Sequence, residues 1–223
     1  MNKSVILLSG GLDSVVALGA FKEEYGIVLA LTFDYGQKSA KEEIYASKKV
    51  CEYYDIKHKI IKLNWLKEIT KTALVSGSAV PKENLGTEES AKAVWVPNRN
   101  GLFLNIAASF CDSAGYNYII FGANKDEGQT FSDNTEDFRR SISSVFELST
   151  LVKPQVATPL INCTKSDIVK IAVEKSVPLE FVRSCYNIKE GVHCGKCESC
   201  LHLRRALEEN NCYKYIDILF KRR

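Results

Sequence analysis

Two groups of residues have types and spacings that could do chemistry: a glycine turn near the N-terminus and a cysteine cluster near the C-terminus. The turn reads SGGLDS at residues 9–14, directly after an apolar run and before a helical pattern. Gly10 and Gly11 can adopt backbone angles closed to other residues, which lets the main chain approach an anion. The N-terminus of the following helix offers free N–H groups and a positive dipole end. The turn is therefore predicted to hold phosphate, and the alternative is a glycine turn with no ligand.

The SGGLDS turn lacks the sequences of two common phosphate loops. A GxxxxGK[ST] loop uses its lysine to grip the β- and γ-phosphates during γ-phosphoryl transfer, and this turn has no such lysine. A GxGxxG turn, typical of dinucleotide folds, is also absent. Ser9 and Ser14 add hydroxyl donors. These features favour phosphate binding for a reaction other than γ-phosphoryl transfer.

The cysteine cluster contains four of the eight cysteines, Cys185, Cys194, Cys197 and Cys200. Its two close CxxC pairs suit tetrahedral Zn²⁺, and four protein ligands with no open position indicate a structural site. An iron–sulfur cluster is the nearest alternative, but its ferredoxin pattern would want a further cysteine where Arg204 stands. A disulfide relay is a weaker alternative, and His193 and His202 are expected to be bystanders.

The composition is that of an ordinary soluble protein. The chain has 223 residues, of which 45% are hydrophobic and 26% charged, and its net charge is +3. This charge is too small to indicate nucleic acid or membrane binding, and no stretch reaches the roughly 20 apolar residues of a membrane span. The short apolar start runs straight into the glycine turn, which does not suit a signal peptide. We therefore expect a cytoplasmic protein whose clustered thiols hold metal rather than disulfides.

The elements that must position these residues alternate between strand and helix patterns. Apolar runs predict strands at residues 5–8, 27–33, 58–63 and 116–121, and helical periodicity predicts helices at residues 13–24, 41–54, 100–113 and 135–149. The helix at 135–149 is expected to bury Phe138, Ile142, Val145 and Phe146. Thr164 and Asp167 form a capping box at the start of a further helix, which ends before Pro178. Apolar strands between helices predict an α/β fold, a parallel doubly wound sheet covered on both faces.

Two segments interrupt this alternation. Residues 76–98 lack periodicity, and a loop of that length is either disordered or a lid near a site. Residues 124–134 follow the fourth strand, at the strand end where parallel sheets bind ligands. The patterns predict a nucleotide-binding α/β core at residues 1–160 and a helical C-terminal region with the cysteine site at residues 161–223.

The order and spacing of several motifs carry a resemblance to a known family. SGGLDS looks like the signature of the PP-loop ATP pyrophosphatases, which cleave ATP between the α- and β-phosphates and transfer AMP to an oxygen. TFDYGQ at 32–37, VPNRNGLFLNIAAS at 96–109, SCY at 184–186 and CGKCESC at 194–200 follow it in order. Over essentially the whole chain, these motifs resemble the 7-cyano-7-deazaguanine synthase family of the queuosine pathway.

The resemblance implies a C–N bond-forming ligase with two ATP-dependent steps at one site. In such an enzyme the carboxylate of 7-carboxy-7-deazaguanine attacks the α-phosphate of ATP, and ammonia converts the acyl-adenylate to an amide. A second ATP adenylates the amide oxygen, and loss of AMP leaves the nitrile, 7-cyano-7-deazaguanine (preQ0). The resemblance also implies Mg²⁺ bound with ATP, free ammonia as the nitrogen donor and a homodimer. Such chemistry depends on positioning and charge more than on a protein nucleophile.

The resemblance assigns roles to particular residues. The ATP-binding stretch that it implies is Leu8, Ser9, Gly10, Gly11, Leu12, Asp13, Ser14, Val15, Val16, Ala17 and Leu18. Three residues have implied catalytic roles: Asp13 in placing Mg²⁺, Arg99 in pairing with phosphate or carboxylate, and Lys165 near the pyrophosphate. The substrate-binding residues that it implies are Tyr35, Gln37, Asn98, Arg99, Phe131 and Asp133. The alternative for Tyr35 is a simple turn, and the alternative for Arg99 is a surface cap.

The chain departs from the family pattern at two places. Many members carry a pattern like SGYPDCRPEF after the fourth strand, whereas this chain reads GQTFSDNTEDF at 128–138. Asp133 is retained and Phe131 occupies the aromatic position, but the cysteine and the arginine of the pattern are absent. Arg183 stands where many members have tryptophan before SCY. These departures favour a variant branch that keeps ATP activation. The identity of the deazapurine, and whether the reaction stops at the amide, stay open.

Two other function classes explain part of the sequence. A tRNA-modifying PP-loop enzyme, active in thiolation or lysine addition, would use the metal knuckle to grip RNA, but the chain is nearly neutral and has no basic stripe. A non-catalytic nucleotide-binding module would leave TFDYGQ and VPNRN unexplained. The sequence therefore favours a small-molecule ligase with no nucleic acid or membrane partner.

Overall fold

A five-stranded parallel sheet forms the centre of the molecule. The structure, a computed structural model, describes residues 2–75, 92–188 and 191–221. The sheet order is β3-β2-β1-β4-β5, and every neighbouring pair of strands is parallel. The predicted parallel α/β fold is confirmed. In chain order the strands are β1 (Ser4–Leu7), β2 (Ile27–Asp34), β3 (Lys57–Lys62), β4 (Tyr118–Ile120) and β5 (Gln155–Ala157).

Helices connect the strands and form the C-terminal part of the chain. None of the helices in the described ranges is long and apolar enough to cross a bilayer. Short 3-10 turns lie at Asn64–Lys67, Ser132–Asn134 and Leu179–Phe181. The helices are α1 (Leu12–Tyr25), α2 (Ala40–Tyr54), α3 (Arg99–Ala114), α4 (Lys125–Gly128), α5 (Glu136–Ser149), α6 (Lys165–Glu174), α7 (Glu198–Glu209) and α8 (Tyr213–Phe220).

Apolar clusters cover both faces of the sheet. On one face α1 and α6 pack with the C-terminal helices, and Val15, Ile168 and Leu203 belong to one buried cluster. On the other face α3 and α5 contribute Leu104 and Phe146 to a second cluster. The first cluster draws residues from both sides of position 160. The division into a core and a C-terminal region therefore stays a prediction, because both parts share this apolar core.

The chain order creates a crevice beside the central strand. The connection through α1 leads from β1 to β2 on one side, whereas α3 brings the chain back to β4 on the other side of β1. Connections that leave in opposite directions open a crevice at the carboxyl ends of the strands, where doubly wound sheets bind ligands. The SGGLDS turn follows β1 and residues 121–134 follow β4, so both segments border this crevice.

The predicted capping box at the start of α6 is confirmed. The Thr164 hydroxyl accepts a hydrogen bond from the Asp167 N–H at 3.2 Å, and the Asp167 carboxylate accepts one from the Thr164 N–H at 2.9 Å. These two bonds satisfy free N–H groups of the first turn. They fix the start of the helix at Lys165.

Some details differ from the sequence prediction. The pattern does not predict β5, because its residues Gln155–Ala157 do not lie in an apolar run. Val145 was expected to be buried but is 48% exposed on α5, whereas Phe146 is fully buried. Neighbouring helix positions point about 100° apart, so one of these two faces solvent. Of the aperiodic segment 76–98, residues 76–91 lie outside the described residues.

Candidate active site and metal centre

The SGGLDS turn is held tightly against the neighbouring helix α2. Gly10 has a φ of +77°, and a Cβ added there would lie 2.7 Å from the Ala46 Cβ and 2.9 Å from the Glu43 carbonyl oxygen. Only glycine therefore suits this position. Gly11 is the extended residue that caps α1, and it uses no side-chain cap. The first N–H groups of α1 thus face the crevice beside two residues without side chains.

The two serines of the turn bind each other rather than a distant partner. The Ser14 hydroxyl accepts from the Ser9 N–H at 3.2 Å, lies 3.1 Å from the Ser9 hydroxyl and donates to the Gly11 carbonyl at 3.1 Å. The Ser9 hydroxyl also accepts from the Gly11 N–H at 3.3 Å. These local bonds order the turn before any ligand arrives.

A segment from the C-terminal region lies directly on the turn. The Arg183 N–H donates to the Gly10 carbonyl at 2.8 Å, and the Leu12 N–H donates to the Ser184 hydroxyl at 3.1 Å. The Ser199 hydroxyl, on α7, donates to the Ser184 carbonyl at 2.7 Å. The two residues before Cys185 are therefore bonded to the turn, and Ser184 is also bonded to α7.

Lys165 joins the turn to the segment that follows β4. Its ammonium group lies 2.6 Å from the Asp13 carboxylate and 2.7 Å from the Glu127 carboxylate. The main-chain N–H of Lys165 donates to Asp126 at 2.8 Å. Asp13 and Lys165, both predicted to be catalytic, are thus in direct contact although 152 positions separate them.

Burial and neighbouring charges shift the pKa values of this trio, Asp13, Glu127 and Lys165, in opposite directions. Burial raises the pKa of Asp13 above its usual value, in spite of Lys165. Burial also acts to raise the pKa of Glu127, but there Lys165 outweighs it and the pKa falls. Burial acts to lower the pKa of Lys165, and the two carboxylates together raise it instead. Lys165 therefore stays a cation, and the trio carries more acidic than basic charge.

Arg99 starts α3 and points into the crevice. It follows Asn98, whose φ of +48° turns the chain into the helix, and its Nε donates to the Asn100 side chain at 3.2 Å. Burial raises the pKa of Tyr35, and Arg99 beside it partly opposes the rise. Burial likewise raises the pKa of Asp133 against the opposing effect of Arg99. Arg99 is thus the cation that faces both residues.

The crevice consists of two adjoining lobes. One lobe is lined by the turn and by apolar side chains of β1, β2 and α3, among them Leu31, Phe33 and Phe103. We call it the nucleotide lobe because the predicted ATP-binding stretch borders it. The aromatic lobe is lined by Trp95, Phe131 and Asp133, among others. The residues that line both lobes and form their shared wall are Arg99, Glu127, Asn134, Lys165, Tyr186 and Ser199.

The crevice brings together most of the residues that the resemblance implies. The residues that line it are Leu8, Ser9, Gly11, Leu12, Asp13, Ser14, Tyr35, Arg99, Phe131, Asp133 and Lys165. Four residues of the implied ATP stretch are instead fully buried in the core: Val15, Val16, Ala17 and Leu18. Gly10 supports the turn from behind, against α2.

Gln37 and Asn98 do not line the crevice. The Gln37 side chain is buried and turns back on its own loop. Its Nε2 donates to the Phe33 carbonyl at 3.0 Å and to Glu43 at 2.8 Å, and its Oε1 accepts from the Tyr35 N–H at 3.0 Å. Asn98 is exposed, and its side-chain oxygen lies against Gly101. Both residues shape the backbone that carries Tyr35 and Arg99.

Several crevice residues are absent from the predicted set. Glu127 lies in the segment after the fourth strand, whose position at the strand end was the available signal. Ser184 and Tyr186 belong to the SCY motif, which the sequence identified without assigning contacts. Trp95 lies at the end of the aperiodic segment and stacks on Phe131, with ring centroids 6.1 Å apart and planes at 18°.

The four predicted cysteines form a group that can bind a metal ion. All four Sγ atoms lie within 4.8 Å of one another, and two of the separations are 3.9 and 4.0 Å. Four sulfurs around a zinc ion with bonds of about 2.3 Å lie about 3.8 Å apart. Main-chain N–H groups of Asn187 and Cys194 point at the Cys185 sulfur, as they would at a thiolate.

The two histidines near the cluster do not join it. His193 is buried edge-on against Phe220, with ring centroids 5.1 Å apart, and His202 lines the aromatic lobe. Neither contributes to the group of possible metal ligands in the described part of the chain.

The fold and the turn first define a class: a parallel α/β protein with a glycine turn that opens a helix after the first strand. NMN synthetase from Francisella tularensis superposes with a TM-score of 0.50 at 15% identity, covering 96% of this chain and 82% of that one. A 4-thiouridine synthetase, solved with RNA and bound ATP, superposes with a TM-score of 0.53 at 22% identity, covering 97% and 51%. At these identities the likeness concerns the fold alone.

The particular family follows from the sequence comparisons. The family described as queuosine biosynthesis protein QueC matches residues 3–211. A 7-cyano-7-deazaguanine synthase from Methanosarcina barkeri is 46% identical, covering 92% of this chain and 94% of its own length. The enzyme of the same name from Carboxydothermus hydrogenoformans is 44% identical, covering 92% and 98%. The chain belongs to the QueC family.

Proposed function

We propose that the protein is an ATP-dependent ligase that converts 7-carboxy-7-deazaguanine and ammonia to 7-cyano-7-deazaguanine in queuosine biosynthesis. Beside family membership, one observation carries the proposal: Arg99 and Lys165 lie in the wall shared by the two lobes. A carboxylate bound in the aromatic lobe would meet a phosphate bound in the nucleotide lobe at these two cations. Transfer of AMP to a substrate oxygen needs that juxtaposition.

The nucleotide lobe suits ATP. The rings of Phe33 and Phe103 stack with centroids 3.9 Å apart, and they offer an apolar surface for an adenine ring. The Leu12 N–H is already bonded to Ser184, and the N–H groups that follow it in the first turn of α1 suit the phosphates. In this orientation the departing pyrophosphate lies at the SGGLDS turn, beside Lys165.

The aromatic lobe suits a flat heterocycle. Trp95 and Phe131 present nearly parallel rings, and a deazapurine would pack against such a surface. The Asp133 carboxylate in the same lobe is an acceptor for the N–H groups of a guanine-like edge. Phe131, the aromatic residue that this chain keeps in spite of its departure from the family pattern, thus supplies part of this surface.

The proposed reaction forms and breaks the same kinds of bonds twice. The substrate carboxylate attacks the α-phosphate, pyrophosphate leaves, and ammonia displaces AMP from the acyl-adenylate to give the amide. The amide oxygen then attacks the α-phosphate of a second ATP, and loss of AMP with a proton leaves the nitrile. Arg99 and Lys165 would stabilise the charge that develops on the transferring phosphoryl group. No protein nucleophile takes part.

The two carboxylates that contact Lys165, those of Asp13 and Glu127, suit a metal ion that binds together with ATP. Asp13 Oδ1 is buried and has no hydrogen-bond partner among the described residues. Two carboxylates share one lysine there. Carboxylate oxygens and phosphates together are the usual ligands of Mg²⁺. We therefore propose that Mg²⁺ binds with ATP at Asp13, where it neutralises phosphate charge.

The four cysteines are proposed to hold a structural Zn²⁺. With four thiolates the ion has no open position for substrate, so its contribution is to folding. Its effect on the active site would pass through Ser184, which lies next to Cys185 and bonds to the turn.

The reaction itself is the test of the proposed function. The purified protein would be mixed with ATP, Mg²⁺, ammonia and 7-carboxy-7-deazaguanine, and AMP and nitrile followed by mass spectrometry. We expect both products without tRNA. If AMP formed only in the presence of tRNA, the proposal would be wrong and a tRNA-modifying activity would take its place. If the amide formed without nitrile, the enzyme would be the variant whose reaction ends at the amide.

Two further proposals concern the oligomeric state, which the resemblance implies, and the cellular compartment. We expect a homodimer, which sedimentation at micromolar concentration would test against a monomer. The reduced thiols of the cluster require a reducing compartment, so we expect the protein in the cytoplasm. Neither proposal involves nucleic acid or a membrane.

A further inference from the structure

Arg183 is a crevice residue for which neither the family motifs nor the catalytic proposal has a role. It directly precedes the SCY motif. In the structure it lines the nucleotide lobe together with Gly11, Leu12 and Ser184. A cation therefore stands beside the SGGLDS turn.

The main chain of Arg183 is fixed to the turn. Its N–H donates to the Gly10 carbonyl at 2.8 Å, and the next residue, Ser184, accepts from the Leu12 N–H. The position of Arg183 relative to the turn is thus set by its own backbone bond and by the bond to the Ser184 hydroxyl. These contacts do not depend on the identity of its side chain.

The guanidinium group of Arg183 is only partly satisfied. Its Nη1 donates to the carbonyls of Glu180 and Val182 at 3.0 and 2.8 Å. Its Nε is buried and has no partner among the described residues. No ion pair within residues 2–75, 92–188 and 191–221 includes Arg183. Burial lowers the pKa of Arg183, and Glu42 on α2 opposes this effect without forming an ion pair. The buried Nε–H is therefore a donor that a bound anion would satisfy.

We infer that Arg183 is a phosphate-binding residue, which contacts the phosphate chain of ATP beside the N–H groups of the SGGLDS turn. An arginine offers planar, charged donors that match phosphate oxygens. The inference rests on the proposed function in so far as ATP is the ligand of the nucleotide lobe. It goes further by assigning the phosphate chain a side-chain contact from a residue outside the SGGLDS turn.

Direct binding to the full, metal-loaded chain tests the inference. The probes are α,β-methylene-ATP, which carries the phosphate chain but is not cleaved at the reacting bond, and adenosine, which has no phosphate. Isothermal titration would compare the wild type with Arg183→Gln and with Arg204→Gln. The second variant is the control, since Arg204 is exposed on α7 and pairs with Glu208.

We expect Arg183→Gln to bind the ATP analogue about tenfold more weakly, the effect of losing one charge-assisted hydrogen bond. Adenosine affinity should stay unchanged, and Arg204→Gln should match the wild type with both probes. In turnover, the variant should raise the KM for ATP and leave kcat in place. Equal affinity of Arg183→Gln and wild type for the analogue would overturn the inference. An equal loss for both probes would also overturn it, because a structural role would weaken both.

A second variant decides the matter if Arg183→Gln fails to fold, as judged from its metal content and melting curve. Arg183→Lys keeps the charge but removes the planar fork, so the analogue should bind more weakly while adenosine does not. Unchanged binding of the analogue would then contradict the inference. The binding assay needs no deazapurine. A wild type that binds the analogue but forms no nitrile would therefore reject the proposed function and leave the phosphate contact intact.

Discussion

At the scale of single residues, Lys165 decides how the reacting centre is charged. It lies within 2.7 Å of both Asp13 and Glu127 and forms part of the wall between the two lobes. Lys165 holds the turn to the segment after β4 through these two ion pairs. In the proposed reaction it would also offer the transferring phosphoryl group a positive charge. Removing it should affect the chemical step more than the stability of the distant core.

Lys165→Met should lower kcat by about a hundredfold or more, because a preorganised charge at the transferring group is lost. Lys170→Met is the matched control, since Lys170 is exposed on the same helix. Initial rates of AMP formation at saturating ATP would measure the effect. A Lys165→Met enzyme with the kcat of the control would contradict the proposed role.

Gln37→Leu should destabilise the fold by about 2–3 kcal/mol, because the buried hydrogen-bond partners of Gln37 at Phe33, Tyr35 and Glu43 would be left unpaired. The KM values of the folded variant for ATP and the deazapurine should stay near those of the wild type. Denaturant unfolding and steady-state kinetics measure the two effects. A variant with normal stability and a raised KM would show instead that Gln37 contacts a substrate.

The sequence predicted which residues belong to the site region better than it predicted the contacts of their side chains. Lys165 and Asp13 could be predicted because their motif positions agree with phosphate chemistry. Gln37 has an equally good motif position, yet its side chain folds back on its own loop. The direction of a side chain in a turn depends on backbone angles and on α2 packing, and neither can be seen in the order of residues. Glu127 was missed for the same reason.

At the scale of elements, the contact between the turn and α2 fixes the phosphate site. Gly10→Ala should destabilise the protein by more than about 3 kcal/mol, since the left-handed φ adds to a clash with Ala46 and the Glu43 carbonyl. Gly115→Ala is the control. Gly115 has a φ of +72° but open space around its Cβ position, so about 1–2 kcal/mol is expected. Equal losses of unfolding free energy would contradict the close-packing argument.

The capping box of α6 makes a pH-dependent contribution to stability. Hydrogen bonds from the Thr164 side chain and N–H lower the pKa of Asp167 below its usual value of 3.8. The contribution is therefore present above that value and disappears as the pH falls through the lower pKa of the folded state. Asp167→Ala should reduce the unfolding free energy by about 1 kcal/mol at neutral pH. The difference from wild type should shrink when unfolding is measured below pH 3.8, and a constant difference would contradict the assignment.

Elements within an apolar run or a long helical period could be predicted from the sequence, and β5 could not. The apolar run before SGGLDS and the periodic helix at Arg99–Ala114 are visible because many residues share one environment. β5 has three residues, and its pairing with β4 is a tertiary contact that leaves no periodicity. Val145 shows a related limit, since the width of the buried stripe on α5 depends on what packs above it.

At the scale of the whole molecule, the metal centre and the phosphate turn form one unit although they are far apart in the chain. Cys185 directly follows Ser184, which accepts from the first N–H of α1, and Cys200 and Ser199 lie on α7 beside it. Binding of a metal ion to the four thiolates would fix this segment against the turn. Zinc is therefore expected to affect ATP binding without contacting ATP.

Cys200→Ser should lose zinc and, with it, most of the affinity for the ATP analogue, because Ser184 is no longer held on the turn. Cys163→Ser, at a partly buried cysteine outside the cluster, is the control and should keep both. Elemental analysis and titration with the analogue give the two quantities. Full nucleotide affinity in zinc-free protein would contradict this coupling, and iron in freshly purified wild type would refute the zinc assignment.

The central claim is that substrate oxygen attacks the α-phosphate of ATP, and an isotope measurement tests it most directly. With 7-carboxy-7-deazaguanine labelled by ¹⁸O in both carboxylate positions, each adenylation should carry one substrate oxygen into AMP. Mass spectrometry should find two AMP molecules for each nitrile, each with one ¹⁸O, and unlabelled pyrophosphate. Label in phosphate or pyrophosphate, or unlabelled AMP alongside nitrile, would contradict the account.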